Sequence, residues 1–198
     1  MARRTFFSFH YKPDVSRAWV VKNSQIVKDR EDAGFLDSSA FEEAQRKDPA
    51  SLKRFLQKEM DGSSVVCALA GAETALRRWV RFEIMQGIWD GRGIFGIRIH
   101  TIADLNQKTT TAGPNPFDLL GVYVEDKKMY FAERASTSDK WTYTTDFGKE
   151  MLPKWAYGAI PANGTHALST FFPLRAWSSS AHDEIGGWIE VAAKHANR

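Results

Sequence analysis

The sequence predicts an α/β fold in which helices cover both faces of a parallel sheet. Short apolar runs typical of buried strands alternate along the chain with segments of helical spacing, and 43% of the 198 residues are hydrophobic. This length and apolar content fit one domain, residues 1–198, with a sizeable core. The alternation breaks down over residues 125–173, which we interpret as an insertion before the C-terminal helix.

The first elements are indicated by aromatic runs and capping residues. Residues 5–9, Thr-Phe-Phe-Ser-Phe, predict a strand. Asp14, preceded by a proline, predicts the N-cap of a helix. Residues 34–36 are a candidate second strand. Asp48 followed by Pro49 predicts a second helix, because a capping carboxylate precedes a proline at the first helical position.

The centre of the chain supplies two buried strands and a helix between them. Residues 64–70, bounded by glycines, and residues 94–99 are short apolar runs that predict buried strands. Residues 73–86 between them predict a helix. Residues 119–124 are a further candidate strand, so the order strand, helix, strand continues as expected for a parallel sheet.

The last part of the chain combines aromatic residues with a final helix. Ser180 and Asp183 resemble a capping box, and an apolar stripe at helical spacing follows them: Ile185, Trp188, Ile189 and Ala192. The insertion carries four large aromatic residues: Trp141, Tyr143, Trp155 and Tyr157. So many rings are unusual in a solvated loop, and we expect an ordered region that packs on the domain or forms a partner surface.

Composition argues against several classes of function. The 27 basic and 24 acidic residues leave a net charge of +3 without the basic stripe typical of nucleic-acid binding. One cysteine, and five histidines of which none pairs with another at ligand spacing, argue against a metal site. No apolar run approaches the roughly 20 residues that span a bilayer, and no signal peptide is recognisable. We expect a cytoplasmic protein that binds neither membranes nor specific nucleic-acid sequences.

One glycine motif is a poor guide to function. Residues 91–96, Gly-Arg-Gly-Ile-Phe-Gly, match the dinucleotide-binding pattern G-x-G-x-x-G literally. That pattern binds pyrophosphate only where it follows a strand and opens a helix. Here it follows a predicted helix and leads into a predicted strand, which indicates a helix end and not a nucleotide fingerprint.

A carboxylate on an apolar helix face is the most informative candidate. Within residues 73–86, the apolar positions Leu76, Trp79 and Val80 recur at helical spacing, and the next position of this stripe is Glu83. A buried carboxylate is costly unless it is paired or opens to a cleft. Such groups often have a perturbed pKa and mark functional sites. An ion pair with Arg77 is the alternative interpretation.

Two histidines follow predicted strands directly. His10 comes after residues 5–9 and His100 after residues 94–99. Ligands of parallel α/β sheets bind beyond the carboxyl ends of the strands. Both histidines are therefore candidates to face a pocket, with ordinary loop positions as the alternative.

Several segments resemble the TIR-like domain family. Residues 5–11 followed by Asp14 look like the opening of a TIR domain, and residues 79–83, Trp-Val-Arg-Phe-Glu, look like its tryptophan-x-x-x-glutamate element. The segments between these two are similar to a branch of the family that includes the sensor protein of type I Thoeris antiviral defence. The resemblance covers most of residues 4–124 and extends to residues 187–190 in the last helix.

The resemblance implies a flavodoxin-like sheet of strand order 2-1-3-4-5 and an enzyme that cleaves NAD at the nicotinamide–ribose bond. NAD is the substrate, so no cofactor is implied. In Thoeris-like members the ADP-ribose part is cyclised to a cyclic ADP-ribose isomer, which activates a separate effector in antiphage defence. The implied partners are therefore NAD, a phage-derived trigger and that effector, with a homo-oligomer as a further candidate.

The same resemblance assigns roles to individual residues. Glu83 matches the catalytic glutamate, and Trp79 matches the aromatic residue one turn before it. The remaining substrate-binding candidates lie in loops after predicted strands: Phe9, His10, Tyr11, Asp37, Ser38, Ser39 and His100.

Two other functions are compatible with this fold. A non-catalytic TIR-like adaptor would use the fold for protein–protein contacts only. A receiver-like or flavodoxin-type nucleotide-binding module is the second possibility, but no acidic cluster after the first strand is present to hold magnesium.

Overall fold

The structure is a computed structural model that describes residues 3–24 and 48–198. The predicted strand at 34–36 and the candidate residues Asp37, Ser38 and Ser39 lie outside these ranges. The helices are α1 Tyr11–Lys22, α2 Pro49–Met60, α3 Arg78–Trp89, α4 Pro116–Leu119 and α5 Ala181–His195. The strands are β1 Thr5–Ser8, β2 Val65–Ala70, β3 Gly93–Arg98, β4 Leu120–Glu125, β5 Lys128–Glu133, β6 Thr142–Tyr143, β7 Gly164–Ala167 and β8 Leu174–Ala176.

A parallel sheet forms the centre of the α/β domain, as predicted. Its described strands run in the order β1-β2-β3-β8, and every neighbouring pair is parallel. The register places Cys67 between Phe7 and Phe95, so residues far apart in sequence share one row. Strand β8 pairs with β3 at the end of this sheet. Residues 119–124, which were predicted to lie in the parallel sheet, are not part of it.

Those residues form β4 in a second, antiparallel sheet of order β6-β5-β4-β7. A two-residue turn, Asp126-Lys127, joins β4 to β5, and both of its residues have positive φ, 49° and 65°. A type I′ turn requires such angles, and it reverses the chain into a hairpin. The strand predicted at 119–124 is confirmed, but its predicted place in the parallel sheet was wrong. The turn that starts the antiparallel hairpin lacks the usual Asn-Gly or Asp-Gly sequence. The inserted region supplies β5, β6 and β7, which form this second sheet together with β4.

The two faces of the parallel sheet bury different clusters. Alternate strand residues point to opposite faces. Phe7, Cys67 and Phe95 pack with α1 and α5 on one face, whereas Phe6 and Val66 pack with α2, α3 and the second sheet on the other. Helices on both faces are therefore confirmed. Among the helices of residues 3–24 and 48–198, none combines the length and apolarity required of a membrane-spanning helix.

Helix α3 is enclosed on two sides. Gly87 lies against Val66 of the parallel sheet, and Phe82 stacks on Phe147 of the inserted region with ring centres 5.7 Å apart. Met85 lies on the side of α3 away from the Trp79 and Val80 stripe, and it is 1% exposed because the second sheet covers that side. Leu76, expected on the buried stripe, is 56% exposed because it lies in a 3-10 turn, Thr74–Leu76, before the helix begins.

The helix caps agree with the sequence at one helix of three. Asp48 accepts a hydrogen bond from the Ser51 amide at 2.9 Å and caps α2 as predicted. Asp14 is not the N-cap of α1, because this helix begins three residues earlier and tolerates proline in its first turn, where amide groups lack acceptors. Ser180 precedes α5 but its side chain makes no capping bond, so the capping box is absent.

The four aromatic residues of the insertion divide into two pairs. Tyr157 is buried, and its hydroxyl donates to the Arg92 carbonyl, while Trp155 packs against the core at its side. Trp141 and Tyr143 line a cleft on the second sheet instead, and Tyr143 is 39% exposed. The expectation that this region packs on the domain is confirmed for the first pair.

Gly87 provides a direct test of how closely α3 must approach the parallel sheet. A Cβ atom at this position would lie 2.7 Å from Val66 Cγ2 and 2.9 Å from Ile94 Cδ1. We expect Gly87→Ala to lower the free energy of unfolding by about 1–3 kcal/mol, since overpacking outweighs the better helix propensity of alanine. Urea denaturation measures this change.

The matched control is Gly187→Ala in α5, where no heavy atom lies within 4 Å of the added Cβ. This substitution should raise stability by up to about 1 kcal/mol through helix propensity alone. Stabilisation of both variants would contradict close packing at Gly87.

Candidate functional site

The carboxyl ends of β1, β2 and β3 meet at one edge of the parallel sheet. Helix α3 connects β2 to β3 and therefore runs antiparallel to them, with its first turns at this same edge. Glu83 lies in the second turn of α3, which places its side chain beside the end of β1. Ligands of such sheets bind at this edge.

Glu83 and Ser8 form the centre of the candidate site. The Ser8 hydroxyl, at the last position of β1, donates a hydrogen bond to Oε2 of Glu83. Both residues are buried, Ser8 with 1% and Glu83 with 3% of its surface exposed. Burial raises the pKa of Glu83 to about 8, although the hydrogen bond from Ser8 acts in the opposite direction. Glu83 therefore holds a proton at neutral pH in the unliganded protein.

The ion pair between Glu83 and Arg77 does not form. Arg77 instead donates to Glu73, four residues earlier. Within residues 3–24 and 48–198, no lysine or arginine lies within ion-pair distance of Glu83. The carboxyl group is therefore desolvated without a compensating cation, which is the situation that raises its pKa.

His10 and Glu73 lie at the rim of this edge. The distance from His10 Nδ1 to Glu73 Oε2 is 3.8 Å, and Arg77 binds the same carboxylate. Burial, together with the charge of Arg77, lowers the pKa of His10. Glu73 therefore lies close to the loop after β1 and is bonded to Arg77, the residue that precedes α3.

A buried carboxylate anchors the loop after β2. Asp14 of α1 is 2% exposed and lies so close to Gly71 that a Cβ atom there would be 2.2 Å from Oδ2. Thr74 Oγ1 donates to Asp14 Oδ2 at 3.4 Å and accepts from the Gly71 amide at 2.9 Å. Burial raises the pKa of Asp14, and the charge of Arg17 partly offsets this effect. These contacts fix the segment that carries Glu73.

Arg17 anchors the loop after β3 to the same helix. Its Nε donates to the Ile102 carbonyl at 3.0 Å, and its second guanidinium nitrogen donates to the Lys108 carbonyl at 2.9 Å. The carboxylate of Asp104 lies 3.5 Å from the guanidinium group. Helix α1 therefore anchors both the loop after β2 and the loop after β3.

The structure brings some predicted site residues together and separates others. Trp79 is partly buried one turn before Glu83, with the Arg78 guanidinium 4.7 Å from its ring centre. His10 lies near the same edge, as does His100, which follows β3 two strands away. Phe9 and Tyr11 stack 5.9 Å apart and belong to the cluster on the opposite face, so their rings are not grouped with Glu83.

Three residues near the site were not predicted from the sequence: Ser8, Glu73 and Arg77 as a partner of Glu73. A signal for Ser8 does exist in the sequence. Strand alternation puts Ser8 on the same face as Phe6, opposite Phe7 and Phe9, and it is a polar residue among aromatic ones. Glu73 lies near His10 because the loops after β1 and β2 are neighbours in the fold, and the sequence spacing does not reveal this contact.

The arrangement suits chemistry on a cationic or cation-like centre. The desolvated carboxyl group of Glu83 lies at the carboxyl edge of the parallel sheet, and a carboxylate in a desolvated environment interacts strongly with positive charge. In the part of the chain that the structure describes, no three side chains of His, Cys, Asp and Glu are grouped to bind a metal ion.

Comparison with known proteins gives two matches. The family model described as Thoeris protein ThsB, TIR-like domain, matches residues 6–104, which contain β1, β2, β3 and Glu83. A protein of Bacillus cereus (strain MSX-D12) with the name "Putative cyclic ADP-D-ribose synthase ThsB1" is 34% identical over 194 residues. The alignment covers 96% of this chain and 100% of that protein, so it includes the second sheet and α5.

The raised pKa of Glu83 predicts how stability depends on pH. Between the ordinary value of 4.5 and about 8, the unfolded chain releases this proton while the folded chain keeps it. Rising pH in this window therefore favours unfolding, by at most about 1.4 kcal/mol per pH unit, and the effect levels off above it. Glu83→Gln should remove this dependence. Urea unfolding of both proteins at pH 5.5, 7 and 8.5 measures the difference.

The control for this experiment is Glu150→Gln, which changes an exposed glutamate of the inserted region. Its stability should follow the wild-type pH dependence. Parallel curves for wild type and Glu83→Gln across the whole range would contradict the assignment of a proton to buried Glu83.

Proposed function

This chain belongs to the TIR-like domain family of the Thoeris protein ThsB, and from that premise we propose that it is an enzyme that cleaves NAD at the nicotinamide–ribose bond and cyclises the ADP-ribose part. The relative named as a cyclic ADP-D-ribose synthase supports this activity across nearly the whole chain. The structural observation that carries the proposal is the buried carboxyl group of Glu83 at the carboxyl edge of the sheet.

Cleavage of the nicotinamide–ribose bond requires a carboxylate to stabilise positive charge and does not require an acid to protonate the leaving group. The ring of nicotinamide in NAD is positively charged, so the bond from ribose C1′ to the ring nitrogen breaks with its electron pair going to nitrogen. Neutral nicotinamide leaves without protonation, and an oxocarbenium-like centre remains on the ribose. A nearby carboxylate stabilises that charge, as in glycoside hydrolysis. We assign this role to Glu83.

The second step forms the ring. A nucleophile of the same ADP-ribose attacks C1′, and if it is a hydroxyl group it releases one proton, which the Glu83 carboxylate accepts. Water in place of that nucleophile would give linear ADP-ribose. A folded substrate in a site that excludes water favours the intramolecular reaction through proximity. The burial of Glu83 and Ser8 supports such exclusion.

The substrate itself prepares the carboxylate. Glu83 holds a proton in the empty site because burial raises its pKa to about 8. A positively charged nicotinamide ring nearby favours the ionised form of a carboxyl group. At neutral pH, binding of NAD therefore favours release of this proton to the solvent, and substrate binding promotes the active charge state.

The remaining site residues are proposed as substrate contacts. We assign Trp79, one helical turn before Glu83, and His10, two residues after Ser8, to the nucleotide, and His100, which follows β3, to the far side of the same edge. Asp37, Ser38 and Ser39 are assigned to the substrate on the family resemblance alone. Phe9 and Tyr11 support the loop after β1 from the opposite face.

In cells, the proposal includes a signalling role. The cyclic ADP-ribose isomer diffuses from this enzyme to a separate effector of antiphage defence, and a phage-derived trigger or assembly into a homo-oligomer starts the reaction. These parts rest on the family alone, so the enzyme assay includes material from infected cells.

Substitution of Glu83 tests the enzyme. With Glu83→Gln we expect nicotinamide release to fall about a hundredfold or more, because one electrostatic contact to the developing charge is lost. The melting temperature should stay the same or rise, because a buried ionisable group is replaced by a neutral amide of the same shape. Purified protein is incubated with NAD, alone and with lysate from phage-infected cells. Mass spectrometry identifies the product, since the cyclic form is one water lighter than ADP-ribose.

The control variant, Glu150→Gln, should retain wild-type turnover and product. Equal turnover and equal melting temperature for Glu83→Gln and wild type would remove Glu83 from the site. Absence of nicotinamide release by wild type in both conditions would instead favour the non-catalytic adaptor.

The pH dependence of catalysis follows from the same carboxyl group. Because kcat/KM reports the free enzyme, it should rise with pH and level off above about 8, where Glu83 is ionised. The profile of kcat should rise at lower pH, since the bound cationic ring favours ionisation. Initial rates of nicotinamide release between pH 6 and 9 measure both. A flat kcat/KM profile over this range would contradict Glu83 as the ionising group.

A further inference from the structure

We propose that Ser8 is a positioning residue that holds Oε2 of Glu83 and thereby leaves Oε1 as the oxygen that contacts the substrate. This inference rests on the proposed function, which assigns Glu83 to the reaction. It adds that the two carboxyl oxygens have different roles, and that Ser8 of β1 determines which oxygen of Glu83 has which role.

The hydrogen bond joins two elements whose positions are independently fixed. Ser8 is paired with Ala68 in the register between β1 and β2, so the strand sets the position of its hydroxyl oxygen. Glu83 belongs to α3, which lies against the same sheet at Gly87, one turn further along. A glutamate side chain has several rotatable bonds, and the bond from Ser8 selects one orientation of its carboxyl group.

The donors and acceptors leave one carboxyl oxygen for a ligand. A serine hydroxyl carries one proton, and here it is donated to Oε2. Within the ranges that the structure describes, no side chain or amide donates to Oε1 of Glu83. Both oxygens of an ionised carboxylate are acceptors, so Oε1 is available for a ribose hydroxyl group or the cationic centre.

This geometry also specifies the path of the proton. During ring closure by a hydroxyl group, the new bond to C1′ forms while the O–H bond breaks, and the proton goes to Oε1. The bond from Ser8 to Oε2 persists throughout, since a hydroxyl donor can bond to both the neutral and the ionised carboxyl group. Ser8 forms no bond to the substrate and loses no proton, which is why it is a positioning residue.

Removal of the hydroxyl tests the proposal. Donors to a carboxylate favour its ionised form, so in Ser8→Ala the midpoint of the kcat/KM profile should move to higher pH by about one unit. At pH 7, kcat should fall about tenfold or more while KM changes less than about threefold, because orientation of the carboxylate matters most in the transition state. Ser8→Thr, which restores a hydroxyl group, should return the midpoint toward the wild-type value.

The control is Ser63→Ala, which removes a buried hydroxyl group at the opposite end of β2, where Ser63 bonds to the Met60 carbonyl at 2.7 Å. It should lower stability without moving the pH midpoint. A shift of the same size in this variant would mean that lost stability alone explains the effect of Ser8→Ala, and it would overturn the proposal.

A measurement without turnover separates this inference from the proposed function. Carbon NMR titration of labelled glutamate carboxyl groups, with Glu83 assigned by comparison with Glu83→Gln, reports its pKa directly. A higher value in Ser8→Ala than in wild type supports the positioning role even if the protein releases no nicotinamide. A folded Ser8→Ala protein with a wild-type titration would overturn it, whatever the fate of the proposed function.

Discussion

The desolvation of one carboxyl group is the constraint on which the candidate site depends. Glu83 is buried between β1 and α3 with a hydroxyl donor but without a described cation beside it. This arrangement requires α3 to lie close to the sheet, which the missing side chain of Gly87 permits. It also requires the outer side of α3 to be covered, and the second sheet covers it. The inserted region therefore contributes to the desolvation of Glu83, although none of the residues assigned to the candidate site belongs to that region.

A second buried carboxylate shows the opposite solution to the same problem. Asp146 of the inserted region is nearly inaccessible, and its side chain accepts from Arg78 at 2.8 Å and contacts Lys53 Nζ at 2.9 Å. Burial raises the pKa of Asp146, but the two cations more than offset this effect, so its pKa lies below the ordinary value. Asp146 is charged and joins the second sheet to α2 and α3, whereas Glu83 is neutral in the empty site. The surroundings thus shift the pKa values of these two carboxyl groups in opposite directions.

Features that depend on neighbouring residues could be predicted from the sequence. Features that depend on contacts between residues far apart in the chain could not. The buried strands and the burial of Glu83 were predictable because helical and strand periodicity depend on neighbouring residues. The antiparallel pairing of β4 was not, because Asp126-Lys127 is an unusual pair for a type I′ turn. Burial of Met85 depends on a sheet whose strands follow it in the chain. Ser8 is a single small polar residue in an aromatic strand, and its partner lies 75 residues away.

The neutrality of the empty site has a consequence for the redox form of the dinucleotide. In the proposed mechanism, the carboxyl group of Glu83 becomes an anion only when a ligand places positive charge beside it. The nicotinamide ring of oxidised NAD carries that charge, whereas the ring of the reduced form is uncharged and would leave the proton on Glu83. With the reduced dinucleotide bound, Glu83 would therefore stay neutral and could not stabilise positive charge on the ribose. The uncharged ring of the reduced form is also a poor leaving group. In the proposed mechanism, burial of Glu83 thus favours the oxidised dinucleotide without any contact dedicated to that distinction.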